Sequence, residues 1–160
     1  MRDSSRSQTD LAISLIVTFT VILIDRLTKI YFSSLLSSGE SLPVIPNVLN
    51  MTLVHNTGIA FGLFKDQGIV FIIIPIIAII FLIYNIYYYR NNGEALTRPY
   101  IVASSLILAG AIGNLIDRIA FGHVIDFIDL HVWPVFNVAD SAITIGATII
   151  LIKCFQLSTK

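Results

Sequence analysis

Long apolar runs separated by short polar links dominate the hydrophobic pattern of the chain. A helix that crosses a bilayer needs about 20 largely apolar residues. Residues 69–89 satisfy this requirement, with Pro75 as the only interruption. Residues 100–116 form a second candidate that is rich in small residues, and residues 139–157 form a third that begins next to Asp140. The pattern therefore predicts a membrane protein built from helices.

The first apolar run, residues 11–24, is too short to span a membrane by itself. It becomes a full span if the helix continues through Asp25 and Arg26 to about residue 36. A cleaved signal peptide is the rival interpretation, because Arg2 and Arg6 precede the apolar run. Acidic residues dilute that positive region, and Asp25-Arg26 stands where a small-residue cleavage site belongs. We therefore expect a retained helix.

Four spans would place both termini on one side of the membrane. The tails and the link 90–98 carry six basic residues, whereas the two segments on the other side carry four, namely Arg26, Lys29, Lys65 and Arg118. Because cytoplasmic segments carry an excess of Lys and Arg, this difference predicts that both termini are cytoplasmic.

The two outer segments differ in length. Residues 37–68 contain two prolines and a stretch, 48–54, with strand propensity, which predicts a small sheet on the outer membrane surface. Residues 118–137 are shorter and carry Asp126 and Asp129. The predicted fold is an all-α membrane protein of one domain, residues 1–160. It has four transmembrane helices and a small β-rich extracytoplasmic cradle at 37–68.

Composition supports a lipid environment and excludes several classes. Hydrophobic residues make up 56% of the 160 positions and charged residues only 12%, against about 25% in ordinary soluble domains. Ten basic and ten acidic residues cancel, so a nucleic-acid binder that relies on a basic face is excluded. The single cysteine, Cys154, and three scattered histidines form no zinc motif, and no glycine-rich phosphate loop is present. These absences give no support to zinc or nucleotide chemistry.

Four acidic residues lie where a membrane should disfavour them. Asp25, Asp117, Asp126 and Asp140 all map to helix ends on the outer side. A carboxylate at membrane depth costs about 2.5–3.5 kcal/mol even on a lenient scale. Four such groups at one face of a small bundle therefore need a compensating interaction or a function.

Two of these acids have structural alternatives within helices. Asp25 and Lys29 have the i,i+4 spacing and order of a helical ion pair. Asn114, Asp117 and Arg118 share one helical face, where they could form either a polar clamp between helices or a substrate site.

The remaining polar positions also allow two interpretations. Asn137 and Asp140 have the spacing of a capping box at the head of the last helix. Asp126, among apolar neighbours, could pair with Arg118 or with backbone amides. Asn56 could belong to a polar turn or could hydrogen-bond an extended substrate.

A sharper hypothesis joins Asp126 and Asp140. Two carboxylates that meet at a membrane interface cannot both ionise readily, so the pair shares one proton. The ionised member can take a proton from water while the protonated member polarises a carbonyl, as in aspartic peptidases. Three alternatives stay open at this point: a small transporter or proton channel that uses intramembrane acids, a metal-dependent hydrolase, and a purely structural assembly factor.

Five motifs in this order carry a family resemblance: DRLTK at 25–29, NTGIAFG at 56–62, GNLIDR at 113–118, VIDF at 124–127 and FNVADS at 136–141. With them the chain resembles the lipoprotein signal peptidases (signal peptidase II), which are intramembrane aspartyl peptidases of bacteria. The resemblance implies that Asp126 and Asp140 are the catalytic pair and that further residues hold the substrate, namely Asn56, Asn114 and Arg118. It implies supporting roles for Asp25, Lys29, Asp117 and Asn137.

The resemblance also implies a substrate that the residues alone do not identify. Family members cut the signal peptide from prolipoproteins just before a cysteine that carries diacylglycerol. The implied location is the bacterial cytoplasmic membrane, with the site near the outer leaflet. The implied partners are the lipid-modified prolipoprotein, membrane lipids and cyclic peptide inhibitors of the globomycin type. The resemblance implies neither a metal nor an organic cofactor.

Overall fold

A computed structural model describes residues 4–58, 70–91 and 97–158 as a helical bundle with a small sheet at one end. The helices are α1 (Ser4–Leu35), α2 (Val70–Asn91), α3 (Arg98–Phe121) and α4 (Val138–Ser158). The strands are β1 (Ser41–Ile45), β2 (Leu49–Asn56) and β3 (Val124–Asp129). Residues 59–68 of the predicted cradle, which include the end of the motif at 56–62, lie outside the described residues.

Three helices of the described part are long and apolar enough to cross a membrane. These spans are Gln8–Leu35, Arg98–Phe121 and Val138–Gln156, and α2 contributes a shorter apolar stretch, Ile72–Tyr84. Large apolar side chains such as Phe19 and Phe155 point outward with 68% and 72% of their surface exposed, as expected for contact with lipid. The first helix continues through Asp25 and Arg26 to Leu35, as the sequence predicted.

Helix α3 packs against the other three helices and provides much of the buried core. Small residues allow this packing, because they let helix backbones approach closely. A Cβ atom at Gly110 would collide with the backbone oxygen of Ala139 on α4. A Cβ atom at Gly146 of α4 would lie 2.6 Å from the backbone oxygen of Ala103 on α3. The small residues seen in the sequence therefore lie at the contact between α3 and α4.

The three strands form one antiparallel sheet in the order β1-β2-β3. The strand predicted at 48–54 is confirmed as β2, which begins one residue later, at Leu49, and pairs with β1 on one side. On its other side β2 pairs with β3, so that Asn56 lies opposite Val124. The sequence predicted no strand within 118–137. The sheet therefore joins the two outer segments, which the sequence treated as separate.

Helix α3 extends five residues beyond its predicted end at 116. Arg118, where the predicted outer segment 118–137 begins, consequently lies within the helix, and so does Asp117, as the predicted shared face with Asn114 requires. The helix ends at Gly122, which adopts the left-handed conformation (φ 75°), and its N–H donates to the backbone oxygen of Arg118. This turn directs the chain straight into β3.

The contact between α3 and α4 predicts a stability effect at Gly146. Replacing Gly146 by Ala adds a Cβ within 2.7 Å of Ile107 Cγ1 and close to the Ala103 carbonyl, so we expect a loss of about 1–3 kcal/mol. Thermal unfolding of the detergent-purified protein measures this change. Thr148→Ile, which adds bulk to the exposed face of the same helix, is the matched control and should leave the midpoint nearly unchanged. Equal stability of Gly146→Ala and the parent would contradict the close packing.

Candidate active site

Four charged side chains meet between α1 and α3 and are called here the four-charge cluster: Asp25, Arg26, Lys29 and Asp117. Lys29 Nζ lies 3.0 Å from Asp25 Oδ2 and 2.7 Å from Asp117 Oδ2. Arg26 forms ion pairs with the same two carboxylates: Nη2 lies 2.8 Å from Asp25 Oδ2, and Nη1 lies 2.6 Å from Asp117 Oδ1. The predicted i,i+4 ion pair is thus present, but within a larger cluster that joins two helices.

The two carboxylates of this cluster also bind backbone amides next to Asp126 and Asp140. Asp25 Oδ1 accepts a hydrogen bond of 3.1 Å from the N–H of Ala139, in the first turn of α4. Asp117 Oδ2 accepts one of 3.2 Å from the N–H of Ile125, in β3. Gly113 permits this approach, because a Cβ there would lie 2.9 Å from Asp25 Oδ2. The cluster therefore holds the backbone adjacent to each candidate catalytic acid.

Asp126 and Asp140 are brought together at Asn137. The side-chain amide of Asn137 donates to Asp126 Oδ1 at 2.7 Å, and its backbone N–H donates to Asp140 Oδ2 at 3.2 Å. In return, the backbone N–H of Asp140 donates to Asn137 Oδ1 at 2.9 Å. The capping box predicted from the spacing is therefore formed. The same asparagine contacts both acids, so the capping and dyad interpretations are compatible.

Asn114 connects this pair to the four-charge cluster. Its Nδ2 donates to Asp140 Oδ1 at 2.7 Å, and its Oδ1 accepts from Lys29 Nζ at 3.0 Å. An ammonium group can only donate, so Lys29 requires the amide oxygen of Asn114 to face it. That orientation turns the amide N–H towards Asp140. Lys29 thus fixes the group that contacts the candidate catalytic acid.

Asn56 and Arg118 complete the set of predicted residues. Asn56, the last residue of β2, donates from Nδ2 to Asp126 Oδ2 at 2.9 Å and accepts at Oδ1 from the N–H of Gly58 at 3.0 Å. The polar turn and the contact with the acid pair are thus both present. Arg118 is half-buried on α3 and interacts electrostatically with both Asp126 and Asp140.

The structure brings all nine predicted site residues into one connected region. Arg26 belongs to the same region, although the sequence suggested no role for it. Its partner Asp117 lies 91 positions away on another helix, and spacing rules within one helix cannot indicate such a contact. The charge count across the membrane treated Arg26 and Lys29 as outer charges. Both lie within α1, where buried carboxylates neutralise them.

Burial raises the pKa of Asp126, the candidate catalytic acid in β3. Asp126 is 1% exposed, and this desolvation, with the nearby charge of Asp140, raises the pKa of Asp126 to about 7. Hydrogen bonds from Asn56 and Asn137 oppose the shift, because they favour the ionised carboxylate. Asp126 therefore exchanges its proton near neutral pH.

The described acidic side chains of this region contact amide groups and do not form a cluster of metal ligands. Within residues 4–58, 70–91 and 97–158, no group of three or more His, Cys, Asp or Glu side chains is placed to hold a metal ion.

Comparison with known proteins shows which family the chain matches. The family model described as "Signal peptidase (SPase) II" matches residues 17–156. A lipoprotein signal peptidase from Halothermothrix orenii is 41% identical over 141 residues, covering 88% of this chain and 94% of the relative. One from Moorella thermoacetica is 42% identical over 143 residues, covering 89% and 91%. A solved structure of a bacterial membrane enzyme has a TM-score of 0.81 and 37% identity, covering 89% of this chain and 87% of that one.

The four-charge cluster predicts a strong stability effect at Lys29. Lys29→Met leaves two buried carboxylates facing one cation, so we expect a loss of about 3–5 kcal/mol in thermal unfolding of the detergent-purified protein. Lys29→Met combined with Asp25→Asn should recover part of this loss, because the excess charge is removed. Lys153→Met, which removes an exposed ammonium bonded to Gln156, is the control. A parent-like midpoint for Lys29→Met would contradict the importance of the cluster.

Proposed function

The chain belongs to the signal peptidase II family, and on that basis we propose that it removes signal peptides from bacterial prolipoproteins. The family implies a membrane-bound protease, and the long apolar helices agree with this class. The observation that carries the proposed chemistry is the contact of both Asp126 and Asp140 with Asn137.

We assign peptide hydrolysis to water activated between Asp126 and Asp140. One carboxylate takes a proton from the water as the water oxygen attacks the scissile carbonyl carbon. The other carboxyl group donates its proton to the carbonyl oxygen. Collapse of the tetrahedral intermediate breaks the C–N bond: the carboxyl that took the proton from water gives it to the leaving amine, and a hydroxyl of the intermediate returns its proton to the other carboxylate as the new carboxyl product forms, which restores the pair with one proton. The two acids interact, so the shared proton belongs to the pair and neither acid has a fixed role.

The amide and guanidinium groups around the pair are assigned to substrate binding. Asn56 stands at the end of β2 beside Asp126, where its side chain can meet an extended peptide. Asn114 donates to Asp140, and Arg118 provides positive charge near both acids. Asp25, Lys29, Asp117 and Asn137 are supporting residues, because they orient these groups. Cyclic peptide inhibitors of the globomycin type would occupy the same site.

The position of the site in the bundle suits a lipid-modified substrate. Asp140 lies in the first turn of α4, and Asp126 lies in the sheet at the end where α1 and α3 finish. We propose four spans, with α2 as the fourth, in the bacterial cytoplasmic membrane, both termini in the cytoplasm and the site near the outer leaflet. The diacylglycerol chains of the substrate would lie among the helices. The peptide bond before the modified cysteine would reach the acid pair at the interface, without a metal or organic cofactor.

Single Asn substitutions test the acid pair. We expect Asp126→Asn and Asp140→Asn each to reduce cleavage of a lipidated precursor by about 100-fold or more, because neither variant can share a proton between two carboxylates. The control is Asp129→Asn on the same strand as Asp126, whose carboxylate contacts Thr52 and the N–H of His131. Thermal unfolding verifies that the variants fold. Cleavage near the parent rate by a folded variant would remove that residue from the mechanism.

The pH dependence provides a second test. As pH rises through about 7, Asp126 ionises and the form with one shared proton disappears, so cleavage should fall on the alkaline side. Asn56→Ala removes an N–H that stabilises the ionised carboxylate, so the pKa of Asp126 and the alkaline limb of kcat should move to higher pH.

Thr52→Ala, on the same strand but bonded to Asp129, is the matched control and should leave that limb in place. An alkaline limb that moves to lower pH, or stays fixed, in Asn56→Ala would contradict the assignment of this limb to Asp126.

A further inference from the structure

Exposed apolar side chains collect at one end of the sheet, where residues 45–48 and 130–133 are called here the sheet tip. Asn50 of β2 lies opposite Asp129 of β3, so the turn after β1 and the segment after β3 leave the sheet at the same end. A group of large apolar side chains exposed on a protein surface marks contact with another apolar phase or with a partner. At the sheet tip these side chains are Ile45, Val48, Leu130, Val132 and Trp133.

The segment after β3 holds its apolar side chains outward through a strained turn. His131 has a φ of 62°, which is uncommon for a residue other than glycine. The turn spans three residues, because the N–H of Val132 donates to the backbone oxygen of Leu130 at 2.7 Å. Asp129 Oδ1 accepts from the N–H of His131 and supports the turn. Beyond it, Val132 is 90% exposed and Trp133 is 61% exposed. Strain of this kind clusters at functional positions, so the outward direction of these side chains calls for a partner.

We propose that the sheet tip inserts into the head-group layer of the leaflet on the side where α1 and α3 end, with Trp133 as its main anchor. Tryptophan is enriched at membrane–water interfaces, because its ring is apolar and its indole N–H still finds a hydrogen-bond acceptor there. Residues 41–56 and 130–139 contain no Asp, Glu, Lys or Arg. Insertion of the tip therefore takes no charged side chain out of water.

The short connection between the tip and α4 favours lipid over a protein partner. Val138, which begins the apolar span of α4, follows Trp133 by five positions, and five residues extend over at most about 18 Å. Phe136 shortens this reach, because its N–H and its backbone oxygen both bond to Ile128 of β3. The lipid that surrounds α4 is therefore close to the tip. A specific protein interface, by contrast, takes about 20–30 residues from each partner, many more than the tip offers.

Tryptophan fluorescence of the full-length protein in phosphatidylcholine vesicles tests the proposal, because Trp133 is the only tryptophan of the chain. Lipid brominated near the top of its acyl chains should quench Trp133 about twofold or more, and iodide on both sides of the membrane should quench it weakly. Lipid brominated near the chain ends should quench it less than the first lipid. Strong quenching by iodide without quenching by brominated lipid would overturn the proposal. Quenching by neither probe would show that protein covers Trp133, and this result would overturn the proposal as well.

A charge placed on the tip provides the matching variant test. Val132→Asp should reduce quenching by the brominated lipid about twofold and increase quenching by iodide, because a carboxylate resists transfer out of water. Ser38→Asp, in the exposed turn between α1 and β1, is the matched control and should be quenched like the parent. Parent-like quenching of Val132→Asp by both probes would contradict insertion of the tip. The measurement needs no substrate and no cleavage, so its failure is distinguishable from failure of the proposed function.

Discussion

The position of the acid pair depends on four charges that are buried together between α1 and α3. A single buried ion would be strongly disfavoured in an apolar bundle, whereas two cations and two carboxylates in mutual contact satisfy one another. Asp25 Oδ1 then binds the N–H group of Ala139, and Asp117 Oδ2, which also contacts Lys29, binds the N–H group of Ile125. The contacts that stabilise these buried charges therefore also fix the backbone next to Asp140 and Asp126.

Much of the fold could be predicted because the membrane imposes long apolar runs on its helices. The continuation of α1 through Asp25 and Arg26 followed from the need for a full span, and the small residues of α3 indicated close packing. Strand β3 could not be predicted, because its six residues become a strand by pairing with β2, about 70 positions earlier in the chain. The end of α3 was predicted too early for a related reason. The apolar run stops at Ile116, and the polar residues beyond it stay helical where Asp117 is buried against Arg26 and Lys29.

The candidate site could be predicted residue by residue but not contact by contact. Local spacing indicated the pair of Asp25 with Lys29 and the capping box of Asn137 with Asp140, since both lie within one helical turn. Contacts between helices, such as Lys29 with Asn114, have no signature in spacing and required the fold. From the sequence, Asn137 was interpreted either as a structural cap of α4 or as part of the functional site. The fold makes them one role, because the residue that caps α4 also donates to Asp126.

The pairing of β2 with β3 has a consequence for how the protein is made. Asn56 emerges from the ribosome long before Asp126, and Asp140 follows only with the final helix. Until that last helix has entered the bilayer, Asn114 has no carboxylate to contact and Asp25 has no amide of α4 to bind. A nascent chain therefore carries no assembled acid pair, and the contacts around Asp126 and Asp140 are complete only once the last helix is inserted.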